Sequence, residues 1–129
     1  MEMINAIGRR KASVARIYLT EGKGNIVVNG KDYKVYFPQT HVQHKITDPF
    51  DIVELDHKIY DVQVNVNGGG FKGQAEAIRM AISRALVKLN EDFRKPLKGE
   101  KFLMRDARVV ERKKYGKPKA RKSFQFSKR

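Results

Sequence analysis

Residues 60–89 read YDVQVNVNGGGFKGQAEAIRMAISRALVKL. Tyr60, Val62, Val64 and Val66 alternate with Asp61, Gln63 and Asn65, a period of two that predicts a strand over 59–66 with one buried face. Asn67-Gly68-Gly69-Gly70 ends it. From Gln74 to Leu89 the period changes. Ala75, Ile78, Ala81, Ile82, Ala85, Leu86 and Leu89 form one apolar stripe, with Arg79, Ser83 and Lys88 facing outward, which predicts a helix. Its alanines let it lie close on a sheet. A one-faced strand running into a one-faced helix calls for a sheet with helices on one side.

The segments upstream supply that sheet. Ile4 to Gly8 and Ser13 to Leu19 read as two strands, with Gly8-Arg9-Arg10-Lys11 between them. Thr20 to Gly24 is a turn, and Asn25 to Val28 is a third strand. Asn29-Gly30 offers a tight reversal, because both residues tolerate positive φ. Tyr33 to Phe37 is apolar and ends at Pro38. Thr40 to Ile46 suits a short helix, and Asp48-Pro49 with Asp51, Glu54 and Asp56 suggests a loop or frayed helix. Lys95-Pro96 breaks the turn after the long helix, and Lys98-Gly99 marks a boundary. The expectation is an α+β body over residues 1–99, a small and mostly antiparallel sheet with helices packed on one face, followed by an extended basic tail over residues 100–129.

Charge divides the chain at the same place. Its 129 residues hold 28 Lys and Arg against 14 Asp and Glu, a net of +14. Residues 1–93 carry 13 basic and 11 acidic side chains, and residues 94–129 carry 15 and 3. From Arg112 onward there are nine Lys or Arg in eighteen residues and no acid. Self-repulsion keeps such a segment extended until a polyanion neutralises it. Tyr115, Phe124 and Phe126 lie among the cations, a mixture that suits RNA, since a ring stacks on a base while Lys and Arg take phosphates. The absence of cysteine excludes disulfides, thiolate metal sites and cysteine nucleophiles. No apolar run reaches the ~20 residues of a membrane span, and Met1-Glu2-Met3 opens no signal peptide.

Gly68-Gly-Gly-Phe-Lys-Gly73 matches G-x-G-x-x-G between a strand and a helix, the context of a dinucleotide fingerprint. A nucleotide-binding enzyme is therefore the alternative reading. It lacks the parallel strand that must follow the helix, and Gln74 stands where a Walker loop has Lys. Two readings of the loop remain. The glycines serve a tight strand-to-helix turn, or backbone N–H groups at the helix start receive RNA phosphates with Lys72 beside them. His41-x-x-His44 with His57 could suggest a metal, but no cysteine accompanies them and the acids of that segment have no ligand spacing; those acids, between 48 and 61, also have no nucleophile, so neither a metal, a cofactor nor a catalytic residue is expected. Arg9, Arg10, Lys11 and Arg16 form a second basic cluster suited to phosphate.

Three stretches carry a resemblance. Gly8-Arg-Arg-Lys-Ala-Ser-Val-Ala-Arg16, Gly68-Gly-Gly-Phe-Lys-Gly-Gln-Ala75 with Ile82-Ser-Arg-Ala-Leu86, and Arg105-Asp-Ala-Arg-Val-Val-Glu-Arg-Lys-Lys-Tyr-Gly116 with Gln125-Phe-Ser-Lys-Arg129 resemble the universal ninth protein family of the small ribosomal subunit, in its bacterial form. Pro118 and Ser123-Phe124 depart from that pattern. The resemblance implies a fold like the second domain of the fifth small-subunit protein, with a left-handed β-α-β crossover. It implies a cytoplasmic, ribosomal location on the 16S-like rRNA of the subunit head, among neighbouring small-subunit proteins. The RNA-binding residues expected from both readings are Arg9, Arg10, Lys11, Arg16, Lys72, Arg105, Arg108, Arg112, Lys113, Lys114, Tyr115, Lys117, Lys119, Arg121, Lys122 and Phe126. The resemblance also implies that the tail reaches the peptidyl-site tRNA, with Ser127, Lys128 and Arg129 nearest its anticodon stem-loop. Eighteen extended residues span about 60 Å at ~3.3 Å each.

Overall fold

The computed structural model describes residues 2–10, 12–100, 102 and 103. Five strands form one sheet: β1 (Ile4–Arg10), β2 (Ser13–Glu21), β3 (Ile26–Val28), β4 (Lys31–Asp32) and β5 (Tyr60–Asn67). The spatial order is β1-β2-β5-β3-β4. All pairs are antiparallel except β3 on β5, which is parallel. Parallel neighbours need a crossover, and here it runs through the single turn α1 (Tyr33–Tyr36) and the helix α2 (Thr40–Ile52). The long helix is α3 (Phe71–Leu89), and a short α4 (Arg94–Gly99) follows.

The core lies between the inner sheet face and the helices. Ala15, Ile17 and Leu19 of β2 and Val62, Val64 and Val66 of β5 meet Ile78, Ala81, Ile82, Ala85 and Leu86 of α3. Val42, Ile46 and Phe50 of α2 close one flank. Asn29 and Gly30 make the β3–β4 reversal with positive φ at both, as their types predict. The Asn29 side chain does more. Its Nδ2 donates to the Val66 carbonyl at 2.8 Å and its Oδ1 accepts from the Val66 N–H at 2.9 Å, so one amide continues the ladder of β5 past the end of β3.

Several expectations change. The first strand, expected to end at Gly8, runs on through Arg9 and Arg10, and Arg10 pairs with Ser13 of β2. Gly8 is buried against α3: a Cβ there would fall on the Ala77 carbonyl and come within 2.6 Å of the Ala81 nitrogen. The helix α2 continues through Asp48 and Pro49 to Ile52, because Ile46, Pro49 and Phe50 are all buried and their burial outweighs the hydrogen bond that proline forfeits. Pro96 stands in the first turn of α4, where no intrahelical donor is required. Of the α3 residues expected to face outward, Lys88 is exposed and Arg79 half-buried, but Ser83 is not. Ser83 is buried and donates to the Arg79 carbonyl at 2.8 Å. Lys88 Nζ donates to the Asn5 carbonyl at 2.7 Å, and Arg84 Nη1 to the Ile7 carbonyl at 2.8 Å. These two cations cover the outer edge of β1, which among the described residues has no further strand beside it.

Candidate nucleic-acid interface

The glycine loop is held from two sides. Gly68 and Gly69 have φ of +80° and +67°, and a Cβ at either would strike Ala12 or Ser13 of the β1–β2 turn. The Gly68 carbonyl accepts from Ser13 Oγ at 2.9 Å and from Gln74 Nε2 at 3.1 Å. Gln74 Oε1 accepts in turn from the Tyr36 hydroxyl at 2.9 Å, which itself accepts from Asn29 Nδ2 at 3.3 Å. A chain of polar groups thus ties both hairpins to the start of α3. Gly70, the residue before that helix, has no atom within 4 Å of where a Cβ would sit. The loop that resembled a dinucleotide fingerprint is spent on close packing, and among the described residues no strand follows α3 to complete a nucleotide-binding unit.

This packing gathers basic residues at one end of the body. Arg9, Arg10 and Lys72 all stand beside the β1–β2 turn or the start of α3, which bears no acidic residue in its first turn. Arg9 and Lys72 are exposed. Arg10 differs. Register with Ser13 turns it to the helix side, where its Nε bonds Glu76 Oε1 at 2.5 Å while Lys45 Nζ bonds Glu76 Oε2 at 3.2 Å. Burial works against the Glu76 charge, but these two donors outweigh it and hold the carboxyl below its ordinary value. Arg10 is therefore partly committed within the protein. Arg16 lies further along β2 on the opposite face, paired in register with Ile7 and Asn65. Lys45 joins the cationic end unannounced; nothing in its local sequence distinguishes it, and only the packing of α2 on α3 brings it to Glu76.

Of the acids between 48 and 61, Asp51, Glu54 and Asp56 are exposed and Asp48 and Asp61 half-buried. Asp56 Oδ1 accepts from the Lys58 N–H at 2.9 Å and caps a short helical turn. Asp61 Oδ1 accepts from the N–H groups of Asn25 and Lys23 at 3.1 and 3.0 Å, bonds that hold its pKa below the ordinary value and fasten the β2–β3 turn. Burial pushes Asp48 up, with Arg79 opposing it. His57 packs its ring 6.0 Å from Phe50, and among the described residues no three His, Cys, Asp or Glu are grouped to hold a metal. Beyond α4, Phe102 donates its N–H to the Leu97 carbonyl at 3.1 Å and lies under the Arg79 guanidinium at 4.4 Å. Lys11 and the expected RNA-binding residues from Arg105 to Arg129 lie outside the described residues.

Residues 8–129 match the family of ribosomal protein S9/S16. The chain belongs to that family. The small ribosomal subunit protein uS9 of Cytophaga hutchinsonii is 60% identical over 129 residues, covering all of both chains. The proteins of the same name from Porphyromonas gingivalis and Christiangramia forsetii are each 57% identical, again over the full length of both. The S9/S16 family is one of structural ribosomal proteins and not of enzymes. Within an S9/S16 protein the G-x-G-x-x-G match is accounted for by the contacts of Gly68 and Gly69 with the first hairpin.

Proposed function

We propose that the chain is a structural constituent of the small ribosomal subunit that binds rRNA of the subunit head and extends its last residues toward the peptidyl-site tRNA. The observation that carries this reading is the distribution of charge in a family member. Residues from 104 onward hold 11 Lys or Arg against 2 acids, a composition suited to phosphate along an extended path. The body adds Arg9, Arg16 and Lys72, two of them at the end where the glycine loop meets the first hairpin. Arg10 contributes less than its neighbours because Glu76 already engages it. Lys11, Arg105, Arg108, Arg112, Lys113, Lys114, Lys117, Lys119, Arg121 and Lys122 take phosphates, and Tyr115 and Phe126 stack on bases. Ser127, Lys128 and Arg129 stand nearest the tRNA, on its backbone rather than its base edges, so that every tRNA is served alike.

Filter binding of several tRNAs to small subunits carrying the chain without Lys128 and Arg129 tests the finer part. Subunits assemble with normal occupancy and bind peptidyl-site tRNA several-fold to tens of times less tightly, by similar factors for each tRNA. Unchanged affinity at full occupancy sinks the tRNA contact and leaves the rRNA role in place.

A further inference from the structure

Among the described residues, helices cover one side of the sheet and leave the other open. Cross-strand register arranges the open side in rows: Arg9, Val14 and Asn67; Ile7, Arg16 and Asn65; Asn5, Tyr18, Gln63, Val27 and Asp32; then Thr20 with Asp61. Beside Tyr18 is a hollow lined by Met3, Thr20, Val27, Asp61 and Gln63. Among the described residues the side chains of Arg9 and Arg16 have no acidic partner, and the amides of Gln63, Asn65 and Asn67 have no hydrogen-bond partner.

Charge falls along this face. The end near the glycine loop is cationic, the middle is amide and aromatic with Asp32 of β4 at its margin beside Val27, and the far end holds Asp61, whose carboxylate accepts from the Lys23 and Asn25 N–H groups. A protein partner calls for a contiguous apolar centre. Here only Ile7 and Val14 meet, on a diagonal between Arg9 and Arg16, and Val27 lies apart from them across Tyr18 and Gln63. Cations for phosphate, a ring for stacking and unengaged amides for polar edges are what unpaired RNA requires.

We infer that the open sheet face receives a single-stranded segment of RNA, with phosphates on Arg9 and Arg16 and one unstacked base on the ring of Tyr18 in the adjoining hollow. Gln63 and Asn65 bond base edges or 2′-hydroxyls, and Asp61 repels the backbone from the hollow while accepting from a base amino group. The inference rests on the rRNA-binding reading above and deepens it, adding Tyr18 and the β5 amides as contacts. It also separates Arg16 from Arg10, which the register sends to the helix side.

The test uses the full chain and a transcript of the 3′ major domain of small-subunit rRNA, titrated by filter binding over a range of salt. Tyr18→Leu weakens binding about tenfold, in line with the loss of one stacked base, and leaves the salt slope unchanged because a ring releases no counterions. Tyr18→Phe keeps affinity within about twofold of the wild type, as a stacking ring is retained. Arg16→Gln weakens binding and lowers the salt slope by about 1. Thermal unfolding shows whether the variants fold; if Tyr18→Leu does not, Arg16→Gln and Gln63→Ala, both at exposed positions, decide. Variants that bind as the wild type does, with wild-type binding still steep in salt, overturn the open-face site and leave the rRNA reading standing. Variants with unchanged RNA affinity that fail to enter subunits assign the face to a neighbouring protein and also overturn it. A wild-type chain that does not bind the transcript overturns both readings.

Discussion

Gly8 and Gly68 are constrained for different reasons, and both set tests. At Gly8 a methyl group meets helix backbone, which cannot swing aside as a side chain can. Gly8→Ala is expected to cost about 3 kcal/mol or more in denaturant unfolding, as overpacking against backbone does. At Gly68 the left-handed φ adds to a clash with the Ala12 carbonyl, so Gly68→Ala costs roughly 2 kcal/mol. Gly70→Ala, at φ of −97° with open space around it, costs less than about 1 kcal/mol. That ordering separates packing from loop flexibility: equal losses at all three positions contradict it. Glu76 sets a second test. Its folded pKa is depressed, so its stabilisation is complete above the ordinary unfolded value of about 4.3 and is lost as pH falls through the lower folded value. Glu76→Gln is therefore expected to lose about 1–2 kcal/mol at pH 7, where the charge-assisted bonds from Arg10 and Lys45 are weakened, and progressively less as pH falls through the depressed folded value. A loss that does not depend on pH means the side chain acts by packing alone.

Among the elements, β5 and α3 were legible because each buries one face completely, and burial is what periodicity records. The end of β1 was not. Arg9 and Arg10 read as a connection beyond the strand because the buried position beside them, Gly8, is filled by the absence of a side chain, which leaves no apolar mark. The continuation of α2 through Pro49 was hidden likewise, since the local cost of proline is visible in sequence and the burial of Phe50 is not. The interface was half legible. Arg9, Arg16 and Lys72 are named by residue type, but which face each occupies depends on register, and register assigns Arg10 to Glu76. The cover on β1 is equally tertiary, joining residues 77 and 83 positions apart. Replacing both Arg84 and Lys88 with alanine is expected to cost about 1–2 kcal/mol in total. Amide exchange should then quicken in β1 before β5. Uniform quickening across the sheet would mean the two cations serve global stability and not the edge.

For the molecule as a whole, composition was the plainest guide: a nearly neutral body joined to a polycation leaves few classes of partner. If the described arginines and the basic residues beyond 103 together neutralise about six to ten phosphates, the logarithm of rRNA affinity falls with that of salt at a slope of about −4 to −9. A slope near −1 in the same titration means that most of the cations remain solvated. The order of the sheet has a further consequence, in the timing of synthesis. The strand β5 joins the β1–β2 hairpin to the β3–β4 hairpin, and neither hairpin touches the other without it. A nascent chain up to residue 59 thus holds two separate, one-faced fragments, and their shared cover α3 is complete only at Leu89. The two hairpins and their shared cover therefore close in one late step, and a chain interrupted before Leu89 leaves the apolar faces of both fragments uncovered and prone to aggregate.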